Sequence, residues 1–276
     1  MIQFNSTNGR KGRGVTAIQR LAALTCVLFA LGFVSRAAAA PVEETAEKYR
    51  PYLLEGIGQA LSGARALQER VAANDLQGAK QAWLSARAGW ERSEVFTGGF
   101  FPDLDEKIDA WPNATTGFHA IEARLFEANR TDVADDTQAL VEHLKTMHEK
   151  IGEVHLTPQG LLNGTAQLAY EVGESKTDGG ESRLSGTSLD DMRSNVDGIE
   201  ASYDIIFSSA IVSADSKLAH KARAQIDHMK TLLAVKTLKN VDASALRQIT
   251  EEFVVTLQDA APKIGLERPV LETSKQ

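Results

Sequence analysis

From Leu53 to Leu257 the apolar residues recur every three or four positions, the spacing that lines one face of an α-helix. A first segment carries Leu53, Ile57, Leu61, Ala64, Leu67 and Val71, and a second Ala79, Trp83, Ala86 and Trp90. A third, over about residues 116–127, carries Phe118, Ile121 and Leu125, and a fourth Leu140, Leu144, Met147, Ile151 and Val154. The fifth opens with Thr157 as N-cap and Pro158 in the first turn and runs to about Ser175. The sixth holds Leu189, Met192, Val196, Ile199 and Tyr203, and the seventh Leu218, Ala222, Ile226, Met229 and Leu233. The eighth, opened by Asp242, holds Leu246, Ile249, Phe253 and Leu257. No stretch alternates convincingly as a strand would, and the prolines cluster at the breaks. Mostly short links predict antiparallel neighbours. The expected fold is all-α: two tandem four-helix bundles, dividing near residue 156, in one elongated body with a cleft. Two stretches read as long loops, residues 97–116 and the polar, Gly-rich 177–188, and long loops in a helical body are places to look for function.

The ends and the charge narrow the class. Residues 1–20 carry Arg10, Lys11, Arg13 and Arg20 and no acid; Leu21–Val34 is a 14-residue apolar run, and Ala38 and Ala40 complete an Ala-x-Ala site. This is the pattern of a cleaved export signal over residues 1–40, with an apolar run too short for a stable membrane anchor. Residues 41–276 are then expected to be exported and soluble, in the periplasm. The only cysteine, Cys26, lies in the signal within a poor lipidation motif, so a disulfide framework is excluded. The signal holds five of the 30 basic residues and none of the 37 acids, so the mature chain has 25 minus 37, a net charge of −12. That balance argues against general nucleic-acid binding and suits attraction of cations.

Two short stretches hold candidate ligands for such a cation. Glu91 and Glu94 are three residues apart and share a helical face, as do His119 and Glu122, while Asp109 lies in the link between them. Four ligand-type groups on the rims of two helices can converge across a bundle, as in carboxylate metal sites. Carboxylates with one imidazole suit a divalent or ferric ion, with iron, zinc or manganese favoured over a purely oxygen-seeking ion such as calcium. From spacing alone a second reading stays open: Glu-x-x-Glu and His-x-x-Glu also occur on solvated helix faces, with His119 a hydrogen-bonded, half-buried histidine.

The segment GFHAIEARLF, residues 117–126, resembles the Gly-x-His-x-x-Glu signature of the imelysin-like family, which includes the periplasmic iron-uptake proteins called EfeO. ARAGWERSEVF is similar to the family's Trp-Glu-x-x-Glu helix, KIDAWP to its Ile-Asp-x-Trp-Pro link, and the block from Leu168 to Tyr203 to its later Glu-Val, Lys, Gly-Glu, Ser and Asn-Val-Asp-Gly elements. The resemblance implies a pair of four-helix bundles with a cleft, and metal binding at the His-x-x-Glu helix. It places Glu91, Glu94, Asp109, His119, Glu122 and Glu171 on the family's acidic and histidine positions, and Lys176, Glu181 and Ser185 on the loop beside them. It implies iron as cargo and partners such as an inner-membrane iron permease or a periplasmic peroxidase. Ser185-Gly186-Thr187-Ser188-Leu189 departs from the Ser-His-Thr-Asp-Leu of many EfeO-type sequences, and the chain has no room for the cupredoxin domain of the longer ones.

Some family members carry the name of a peptidase. His119-Ala120-Ile121-Glu122 is followed by Ala123, so neither His-Glu-x-x-His nor His-x-x-Glu-His is present, and no catalytic residues are assigned. A second ligand class comes from residues 217–239, which are basic against an acidic average. Lys217, Lys221 and Arg223 are candidates for polyanion contact. The family includes a sphingomonad periplasmic protein that binds alginate, to which this short-form chain is similar, so an acidic polysaccharide is the alternative ligand, either direct or bridged by metal.

Overall fold

A computed structural model of the chain describes residues 42–111, 114–177 and 182–271. The expected export signal and Glu181 lie outside the described residues. A short helix α1 spans residues 42–48. It is followed by α2 (Arg50–Ala72), α3 (Leu76–Glu91), α4 (Glu94–Phe100), α5 (Pro102–Asp109) and α6 (Gly117–Glu122). Then come α7 (Ala134–Glu153), α8 (Pro158–Glu174), α9 (Ser188–Ser202), α10 (Ser208–Ala214), α11 (Ser216–Leu233) and α12 (Ala243–Ala260). No strand occurs among the described residues, so the all-α class holds. Among the described residues no helix is long and apolar enough to cross a membrane.

Helix starts follow local chemistry. Thr157 and Asp242 cap α8 and α12 by accepting from the N–H groups of Gly160 and Ala245, and Asp75 and Asp215 cap α3 and α11 in the same way. Helices α2, α3, α6 and α7 pack in one group, and α8, α9, α11 and α12 in another. The groups meet where α3 crosses α9, and α4, which packs on the second group, crosses α8. At the second crossing a Cβ on Gly164 would lie 1.8 Å from the Val95 carbonyl oxygen, so the approach of α4 to α8 requires glycine.

One sequence expectation is corrected. The stretch 97–116, read as a loop, largely carries α4 and α5, because Pro102 begins a helix rather than breaking one. Both helices are too short to show a repeated period. Their apolar residues Val95, Phe96 and Ile108 are buried, and they bring Glu94 and Asp109 into the junction between the two helix groups.

Candidate metal centre

Helix α3 supplies the centre's base. Its inner face carries Trp83, Arg87, Trp90 and Glu91, each no more than 1% exposed. The Arg87 guanidinium pairs with Glu91 one turn on and with Asp109 at the end of α5, and its Nε lies 3.8 Å from Asp191 of α9. Trp90 Nε1 donates to the other Asp109 oxygen at 2.7 Å. Two further donors face the glutamates: Lys176 Nζ lies 3.1 Å from Glu91 Oε2 and 2.9 Å from Glu94 Oε2. Asn195 Nδ2 donates to the same two oxygens, at 2.7 Å each.

Helix α6 closes the other side. Gly117, at φ +72°, starts it in the left-handed region, with the Ile108 carbonyl oxygen where a Cβ would crowd it. Trp83 Nε1 holds the Phe118 carbonyl at 3.0 Å. His119 then points into the centre. Its Nδ1 lies 3.2 Å from Glu122 Oε2, and its Nε2 lies 3.2 Å from Asp109 Oδ1. That second nitrogen is buried and makes no aligned hydrogen bond. Glu122 Oε1 accepts from the Ser185 N–H at 2.8 Å and the Ser185 hydroxyl at 2.7 Å. A single π-helical turn, Ala123–Glu127, follows Glu122 directly, a feature frequent at functional sites.

The charges are strongly coupled. Burial would raise the Asp109 pKa, but the charge of Arg87, followed by that of His119, outweighs it and holds the carboxyl well below its ordinary range. Burial would lower His119, yet the Asp109 charge prevails and pushes the imidazole up to about 9. Burial and the neighbouring Glu91 charge push Asp191 up to about 7. Glu91 and Glu122 are lowered despite burial, Glu91 by Arg87 and Lys176 and Glu122 by hydrogen bonds from His119 and Ser185. His119, with its folded pKa above the ordinary 6.5, stabilises the fold fully below pH 6.5 and loses that contribution as the pH rises to about 9. Asp191 acts in the same direction between about pH 4 and 7, because the fold prefers its protonated form. The lowered acids oppose this only at the acid end. The metal-free protein should therefore show a urea midpoint that falls between pH 6 and pH 9. A flat or rising midpoint would contradict a protonated His119.

Of the residues singled out in the sequence, Glu91, Glu94, Asp109, His119, Glu122, Lys176 and Ser185 meet in this one network. Glu171 adjoins it, its carbonyl accepting from the Lys176 N–H at 3.3 Å. It accepts from Gln167 at 2.7 Å and lines an adjoining cavity of about 420 Å³, together with Glu94, Asp105 and Asn163. Burial pushes Asp105 up to about 7, so this cavity is acidic and partly protonated near neutrality. On α11, Lys217 and Lys221 are exposed, whereas Arg223 is engaged by Glu200 at 2.9 Å and by Asp204. Arg87, Asn195, Asp105 and Asp191 were not picked out from the sequence. Arg87 and Asn195 did leave a signal there, since each is a polar residue set among the apolar positions of its helix.

The donor set suits a cation. One carboxylate oxygen from each of Glu91, Glu94 and Asp109 lies within 4.8 Å of the others, close enough to share an ion, and the unaligned His119 Nε2 stands beside Asp109. Oxygens with one imidazole nitrogen match iron, zinc or manganese.

Comparison with known proteins agrees with this architecture. Two proteins named Efem/EfeO family lipoprotein, from Staphylococcus aureus strains MRSA252 and NCTC 8325, are each 28% identical over 237 residues, covering 82% of this chain and 83% of theirs. A solved structure from Parabacteroides distasonis, described as an iron-regulated protein A precursor, superposes with a TM-score of 0.63 at 15% identity, covering 82% of this chain and 95% of that one. It shares the fold. The imelysin family profile, which carries the peptidase designation M75, matches residues 46–115 and 112–261, so the chain belongs to the imelysin family.

Proposed function

We propose that this protein is an exported metal-binding protein serving iron uptake, which takes a cation as cargo at the centre formed by Glu91, Glu94, Asp109 and His119. The observation that carries the reading is the convergence of three carboxylate oxygens from α3, α4 and α5 within 4.8 Å, beside a buried imidazole nitrogen without an aligned hydrogen bond. Glu94 belongs both to this centre and to the acidic cavity, which gives a cation a route inward. Glu122 orients the imidazole, and Ser185 in turn holds Glu122. The Efem/EfeO lipoprotein relatives support export and this family role. The function is binding rather than hydrolysis, because His119 and Glu122 have no second imidazole on their helix to complete a zinc-protease triad.

Calorimetric titration with Fe²⁺ under anaerobic conditions, and with Zn²⁺, tests the reading. His119→Ala and Glu122→Ala are each expected to weaken binding at least tenfold, about 1.4 kcal/mol, with circular dichroism unchanged. Equal affinity in the wild type and the double variant would remove the site from this centre.

A further inference from the structure

Lys176 occupies the place a metal would take. Its ammonium bridges one oxygen of Glu91 and one of Glu94, two of the three carboxylates that could share an ion, at 3.1 and 2.9 Å. The side chain is 2% exposed, so its charge is balanced by these acids rather than by bulk water. We propose that Lys176 is the resident cation of the carboxylate site and that cargo binds by displacing it, so that this side chain sets the affinity and makes loading reversible. The inference rests on the metal-binding reading and adds its competitor.

Three observations single out Lys176 rather than Arg87. Arg87 sits within α3, one turn before its end, and is held by acids from three helices, Glu91, Asp109 and Asp191, so nothing can replace it without dismantling the junction. Lys176 lies just beyond the end of α8, on a flexible four-carbon stem with a point charge that trades partners readily. The last carbonyls of a helix also favour a cation, so an ammonium leaving the glutamates keeps a favourable field at the end of α8. Finally, Glu94 is both a Lys176 partner and a wall of the acidic cavity, so an incoming ion meets the shared carboxylate first. The Asn195 amide, which donates to the same two oxygens, keeps the glutamates in place as the exchange proceeds.

The test compares Zn²⁺ and anaerobic Fe²⁺ titrations of the wild type, Lys176→Gln and Lys176→Arg. Removing the competing charge should tighten binding at least tenfold. The guanidinium, which grips carboxylates in a fork, should loosen it at least tenfold. If Lys176→Gln folds only when metal is present, the same conclusion follows, since the metal then supplies the missing charge. A wild type that binds metal no more weakly than Lys176→Gln overturns the displacement idea and leaves the metal site standing. So does a Lys176→Arg protein of wild-type affinity. Absence of binding in every form overturns both.

Discussion

Replacing Arg87 by Met is expected to cost about 3–5 kcal/mol of stability, the usual penalty for leaving a buried ion pair without one partner. Arg87 is 1% exposed and faces Glu91 and Asp191, both buried, and Asp109, whose side chain is 8% exposed. Without the guanidinium, Glu91 keeps Lys176 and Asp109 keeps His119, but each carboxylate loses its nearest compensating charge. For a chain of this length the melting temperature should fall by roughly 10 °C or more. Arg87→Lys should recover only part of the loss, because an ammonium cannot span three acids as a fork does. Asp191→Asn provides the control. Asp191 already titrates near 7, so neutralising it should change little at pH 6. Chemical denaturation of the three variants decides; a loss below about 1 kcal/mol for Arg87→Met would mean that the acids are not held by this side chain.

Gly117→Ala is expected to be the most damaging small substitution in the signature segment. Two costs add. A left-handed backbone at φ +72° costs a non-glycine residue about 1–2 kcal/mol. The new Cβ would also lie 2.2 Å from the Ile108 carbonyl oxygen, and relieving such overpacking typically costs about 1–3 kcal/mol more. The backbone that must shift carries Asp109 on one side and His119 on the other. Gly117→Ala should therefore lower the denaturation midpoint at every pH and weaken metal binding together, whereas the stability lost in His119→Ala should shrink as the pH rises to about 9. Wild-type stability in Gly117→Ala would show that the start of α6 is not fixed by this contact.

Much of this architecture could be read from periodicity, because eight segments are long enough to repeat their apolar spacing and several announce their starts: Thr157-Pro158 and Asp242 cap the helices expected of them. Helices α4 and α5 could not be read in this way. Each spans about two turns, and Pro102 looks like a break until Phe101 and Ile108 are seen to pack. The acids and His119 were visible as ligand types at helical spacing. Their counter-charges were less so. Arg87 stands between Trp83 and Trp90 on an apolar face, a position where an arginine must be paired, but nothing local names Asp109 and Asp191 as its partners. Lys176 meets Glu91 across 85 positions of chain, a pairing set only by the crossing of the two helix groups. Glu171 lies on the expected helix, and it lines the adjoining cavity.

Anomalous diffraction at the iron edge from crystals loaded with iron locates the cation directly. One strong peak is expected, bounded by Glu91, Glu94 and Asp109 with His119 Nε2 alongside, and the Lys176 ammonium withdrawn from both glutamates. A loaded crystal with no peak there, and Lys176 still bridging Glu91 and Glu94, would contradict this placement.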